Sequence, residues 1–176
     1  MEQVVPTEEH SRRFLLPHPI HSFHFRLFDL AKSSSHFFDF SLYDVPPVTT
    51  VLEACTGSGS SGVFVCYAPE DAHHVTLLAN ILKAVQLNWP DELLTLQKAD
   101  SMAVSFGQLQ RAADLKVALL FGVAPASLGV GARLQLYQPV HLNECTYLAV
   151  DALEKIEGDK NLKKQLWTAL QIIFSN

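Results

Sequence analysis

At 176 residues, with 48% of them hydrophobic and 18% charged, the chain is long enough to bury a core and too apolar to be a disordered tether. A formal net charge of −5 argues against a protein whose main task is gripping a nucleic-acid backbone, which needs clustered Lys and Arg. No apolar run reaches the length of a membrane span and the opening MEQVVPTEEHSRR lacks a signal peptide's apolar core, so a soluble, cytoplasmic protein is expected.

The first forty-five residues differ from the rest. Phe14, Phe23, Phe25, Phe28, Phe37, Phe38 and Phe40 all lie there, and FHFRLF and FDFSLY alternate apolar with polar side chains. That alternation suits half-buried strands or extended binding segments. So much aromatic area is costly to leave in water, which divides the chain into an N-terminal extension over 1–45, partly packed on its domain, and a single α/β domain over 46–176. The exposed part of the extension reads as an interaction peptide, with Phe14, Phe23 and Phe25 as anchors. His18, His21, His24 and His36 fall in the same stretch, but no cysteine or second close histidine pair accompanies them, so they read as surface or interface residues and no metal is expected.

Next comes TGSGSSG, in which Gly57, Gly59 and Gly62 satisfy the G-x-G-x-x-G spacing of a dinucleotide-binding turn. Such a turn needs a strand before it and a helix after it, whose first amides hold the pyrophosphate. Here Thr49 to Leu52 reads as a strand on entry and VFVCY, Val63 to Tyr67, as a strand on exit, so the segment is expected to be a hairpin connection.

From Val63 onward strands and helices alternate. Leu78, Ile81, Leu82 and Val85 recur at helical spacing; Glu92 to Gln97 reads as a short strand; Ser105 to Ala113 as a modest helix; and KVALLFG, Lys116 to Gly122, as the clearest buried strand. APASLGVGARLQLYQPV follows as a loop with room for a short helix, then a short strand near Thr146 to Leu148. Asp151 with Glu154 forms a capping-box-like helix start, and Asp159 opens a last helix with Leu162, Leu166, Ala169, Leu170 and Ile173 on its buried face. Near-continuous apolar strands separated by helices predict a three-layer α/β fold with a mostly parallel sheet of about four strands.

Glu70, Asp71, His73 and His74 lie just beyond the first of these strands, where ligands bind in open α/β sheets and where a carboxylate and an imidazole can do acid–base work. The simpler account is a polar first turn opening the next helix. Cys55, Cys66 and Cys145 lack metal-site spacing, and Cys66 reads as a small core residue. Lys155, Lys160, Lys163 and Lys164 read as a solvated helical face. Trp89, beside Pro90 at a helix end, is expected to be exposed and a candidate interface anchor, whereas Trp167 is expected to be half core.

The segments LKVALLFGVAPASLGV and TYLAVDALEKIEGDKNLKKQLWTALQIIF resemble the C-terminal half of the uracil-DNA glycosylase superfamily. The order of strand, Leu-rich helix, strand and closing helix with Leu166-Trp167 also resembles the psi-subunit family of the bacterial DNA polymerase III clamp-loader assembly, which has a glycosylase-like fold without glycosylase chemistry. The resemblance covers Val63 to Phe174. It places Cys66-Tyr67-Ala68-Pro69 at a loop where an active glycosylase carries a water-activating acid or amide; Tyr67 stands there instead, with Glu70 and Asp71 offset from it. A second active-site motif, His-Pro-Ser after Thr-Tyr, is replaced by Leu148-Ala149-Val150 after Thr146-Tyr147, and leucine cannot stabilise charge on a departing base.

What the resemblance implies is a non-catalytic adapter in DNA replication, without cofactor, whose protein partners are clamp-loader or single-strand-binding components and whose direct hold on nucleic acid is weak or absent. The alternatives are a divergent glycosylase acting on a flipped base through Glu70 or Asp71, and a small-ligand-binding α/β protein. Both would use the cleft formed by Tyr67, Pro69, Glu70, Asp71, His73, Gly122 and Tyr147.

Overall fold

The computed structural model describes residues 47–175, which form an α/β domain with a five-stranded, mostly parallel sheet. The extension expected over 1–45, with Phe14, Phe23, Phe25 and the histidines His18, His21, His24 and His36, lies outside the described residues. In chain order the elements are α1 (Val48–Glu53), β1 (Val63–Tyr67), a 3-10 turn (Pro69–His74), α2 (Val75–Ala84), β2 (Leu94–Gln97), α3 (Phe106–Ala113), β3 (Val117–Phe121), a second 3-10 turn (Pro125–Leu128), β4 (Val140–Leu142), β5 (Cys145–Val150), α4 (Leu153–Gly158) and α5 (Lys160–Phe174).

The strand order is β2-β1-β3-β5-β4, parallel throughout except for the β4–β5 hairpin at one edge. The sheet has five strands where about four were expected, and the four read from the sequence are the parallel ones. β1 and β3 are nearly continuous apolar runs because both faces of the sheet are covered, and alternate side chains enter different cores. Val63, Val65, Tyr67, Leu119, Phe121, Leu148 and Val150 pack against α2, α4 and α5 on one face. Phe64, Cys66, Leu94, Leu96, Ala118, Leu120 and Tyr147 pack against α1 and α3 on the other.

The segment Thr49 to Leu52 is a helix, not the strand its β-branched residues suggest. Pro47 precedes the first turn with φ −55°, and Val48, Val51 and Leu52 meet the core from one side at helical spacing. The glycine-serine segment is therefore a helix-to-strand connection rather than a hairpin. It lies along the free edge of β2. Thr56 and Thr95 exchange backbone hydrogen bonds, both at 2.8 Å, and the Ser58 and Ser61 amides donate to the Asp91 and Glu92 carbonyls. These amides are spent on the chain itself, so they make no phosphate cradle, and the edge they cover is shielded from pairing with another strand. Gly57 is required there: φ is +85°, and a Cβ would lie 1.9 Å from the Leu93 carbonyl oxygen.

Two further departures lie after β3. β4 is a strand not expected from the sequence, at the end of the stretch read as a loop with a short helix; Asn143 and Glu144, both with positive φ, make the two-residue turn of the β4–β5 hairpin. Asp151 does not cap α4, whose N-cap is Ala152 without a side-chain bond. Asp159 does open α5 as expected, its carboxylate accepting from the Asn161 and Leu162 amides. Among the described residues, no helix is long and apolar enough to cross a membrane.

Candidate functional site

β1 has β2 on one side and β3 on the other, so the chain leaving β1 and the chain leaving β3 run to opposite sides, and the position between the two strand ends is where an open α/β sheet of this order has its crevice. Tyr67 ends β1, the 3-10 turn Pro69–His74 forms one lip, and Gly122 follows β3 on the other. Six of the seven cleft residues read from the sequence therefore do gather at this edge. Tyr147 does not. It sits in the first half of β5 opposite Ala118, buried, with its ring 5.3 Å from Phe106 in an edge-to-face arrangement on the α3 side. Burial pushes its hydroxyl pKa up to about 12.

Within the crevice the residues have unequal roles. Asp71 is only 2% exposed, and its Oδ1 accepts a hydrogen bond from the Glu154 amide at 3.1 Å. It thus caps α4, which has no capping side chain of its own, from 83 residues away. Its Oδ2 is buried and has no hydrogen-bond partner among the described residues. Beside it, His74 Nδ1 lies 2.5 Å from Glu157 Oε2, a second tie between the 3-10 turn and α4. Gly122, at φ +66°, donates its amide to the Val150 carbonyl and leaves no room for a side chain, since a Cβ would stand 3.0 Å from Ala152. Tyr67 is 8% exposed and belongs to the core. Pro69 begins the turn and its carbonyl accepts from Gln97 Nε2 at 3.4 Å. Among the titratable residues here, Glu70 and His73 are the exposed ones.

Asp151, expected as a helix cap, instead joins a polar cluster at the end of β5. The Tyr137 hydroxyl donates to its Oδ2 at 2.8 Å and Lys155 Nζ to its Oδ1 at 2.6 Å. Lys155 above all, and then Tyr137, hold the carboxyl of Asp151 below its ordinary pKa. Burial and the hydrogen bond to Asp151 raise that of Tyr137. Tyr137 escaped the sequence reading because its contact depends on a loop with positive φ, 61°, that no local motif announces.

The two tryptophans exchange the environments expected of them. Trp89 is half-buried against the core, and its indole N–H donates to Thr95 Oγ1 at 3.2 Å. Trp167 is 42% exposed. It stands at the lip of a groove of about 260 Å³ between α2 and α5, floored by Leu77, Ile81, Ala84, Leu166 and Leu170. The available signal was Trp167 itself, next to Leu166 and three residues before Leu170, a spacing that sets it at the border of the buried face of α5.

The cysteines are unpaired: Cys66 and Cys145 are buried and Cys55 partly so. Burial pushes the Cys66 thiol up to about 12, which leaves it an inert core residue. Among the described residues, no cluster of His, Cys, Asp and Glu could hold a metal ion. No protein-family model matches the chain, and no curated protein matches it.

Proposed function

We propose that this chain is a non-catalytic protein-interaction module, an adapter of the kind its psi-like pattern implies, with clamp-loader or single-strand-binding components as partners. The observation that carries the reading is the employment of the crevice's buried acid. Asp71, the carboxylate best placed for chemistry at the β1 end, spends Oδ1 on the α4 amide, and a group holding two elements together is poorly free to shuttle protons. The resemblance sets Tyr67 where a water-activating residue would stand, and Tyr67 is packed in the core. A phenol there is no substitute for an acid at neutral pH.

One observation favours a second reading. A buried carboxylate oxygen without a partner, Asp71 Oδ2, is the sort of feature found where a ligand or catalytic water belongs. With Glu70 and His73 exposed beside it, a divergent base-excising enzyme or a small-ligand site remains the competing account.

The experiment combines both readouts. The full chain is mixed with purified clamp-loader and single-strand-binding components and followed by size-exclusion chromatography, and separately incubated in molar excess over uracil-containing single-stranded DNA. The adapter reading expects co-elution and no base release. Base release that disappears in Asp71→Asn or Glu70→Gln, without co-elution, assigns the crevice to catalysis instead.

A further inference from the structure

The groove between α2 and α5 differs in charge from the rest of the chain. Lys163 lines it, and Lys160 lies three residues earlier on the same face of α5. Neither forms an ion pair among the described residues. α5 itself carries no acidic side chain, although the chain as a whole is acidic. The groove is therefore apolar apart from Asn80 and the ammonium of Lys163, and a tryptophan stands exposed at its edge.

We infer that this groove receives an amphipathic helix of a partner protein whose apolar face is flanked by Asp and Glu. The inference rests on the adapter reading and specifies its contact. Two helices of 10 and 15 residues bound the groove, lengths of about 15 and 22 Å. A partner helix laid along them presents anchors at i, i+3 or i+4, and i+7, with Trp167 packing on the central one. An acidic flank meets Lys163 and Lys160, giving orientation and a salt-sensitive on-rate. A second copy of this chain fits less well. A two-fold contact is self-complementary, so it would set the lysine-bearing α5 of one copy against the same helix of the other.

The test is a selection from a displayed library of helical peptides on the full-length chain, with Trp167→Ala and Lys163→Glu as counter-targets. Circular dichroism establishes that both variants are folded, as the exposure of the two side chains leads one to expect. Peptides enriched on the unaltered chain are expected to carry an apolar strip at helical spacing flanked by Asp and Glu. Synthesised singly, they should bind about tenfold or more weakly to Trp167→Ala. Lys163→Glu should weaken them about threefold to tenfold, a difference that shrinks as salt is raised. Enrichment of neutral or basic peptides, no enrichment, or binding indifferent to both substitutions overturns the inference. So does a concentration-dependent dimer that Trp167→Ala dissolves, which gives the groove to a second copy. A partner complex that co-elutes with the chain equally well in Trp167→Ala also overturns it, while leaving the adapter reading standing.

Discussion

The carboxylate of Asp71 caps the helix that begins 82 residues later: its Oδ1 takes the Glu154 amide at 3.1 Å, in an environment 98% closed to solvent by residue area (2% exposed). One bond thus fixes the turn after β1 to the helix after β5, across the mouth of the crevice. Removing the acceptor leaves a buried amide unpartnered. Asp71→Ala is expected to destabilise the domain by about 1–3 kcal/mol, and Asp71→Asn, which keeps an oxygen for the amide, by less than about 1 kcal/mol. Urea denaturation of the three chains checks this. Equal losses in both variants would mean that the negative charge, not the acceptor, matters.

The glycine-serine segment gives a sharper contrast. Gly57→Ala is expected to cost more than about 3 kcal/mol or to prevent folding, because its Cβ would meet carbonyl oxygens of Leu93 and Pro90 at 1.9 and 2.4 Å, in a backbone conformation that alanine resists. Gly107→Ala in α3 meets nothing within 4 Å and should instead stabilise by up to about 1 kcal/mol. Thermal melts of the two variants decide the matter.

The cluster around Asp151 predicts a pH dependence. Its folded-state pKa is depressed, first by Lys155 and then by Tyr137, so the unfolded chain binds the proton more readily. The resulting stability is fully present above the unfolded carboxyl pKa of about 3.9 and is lost as pH falls through the lower folded value. Tyr137 is raised, so its contribution is present below the unfolded tyrosine pKa of about 10 and is lost as pH rises above it. Tyr137→Phe should therefore flatten both ends of a stability–pH profile, whereas Lys155→Met should flatten the acid end alone. Urea midpoints measured from pH 2.5 to 11 read this out.

The tryptophans should separate packing from contact. Trp89→Ala is expected to cost about 2 kcal/mol, since it loses core packing and the Thr95 hydrogen bond, and Trp167→Ala to stay within about 0.5 kcal/mol. In a Trp89→Phe chain, acrylamide should quench the remaining fluorescence efficiently; in Trp167→Phe it should not.

These contrasts mark where the sequence was readable. β1, β3 and the stripe of α2 declared themselves by apolar runs and by Leu78 and Leu82 at helical spacing, and Asp159 announced α5 by its own cap. Such signals are local. α1 was misread because Thr49, Thr50 and Val51 favour strands, while packing of Val48, Val51 and Leu52 on the core overrides that preference. The cap on α4 was invisible, since nothing near Glu154 names a carboxylate 83 positions away. Asp151 mimicked a cap in spacing, and only the path of the Tyr137 loop shows where its carboxylate goes. Trp89 borders Pro90, a mark of a chain turn, but the turn folds inward and buries the indole.

The central claim is that the crevice at the strand ends holds the fold together while the α5 face does the binding. Its most direct test is quantitative capture of the partner complex by three full-length chains: unaltered, Glu70→Gln/His73→Ala at the crevice, and Trp167→Ala at the groove. The account predicts equal capture by the first two and about a tenfold loss by the third. Capture abolished by the crevice substitutions and indifferent to Trp167, or absent from all three chains, would contradict it.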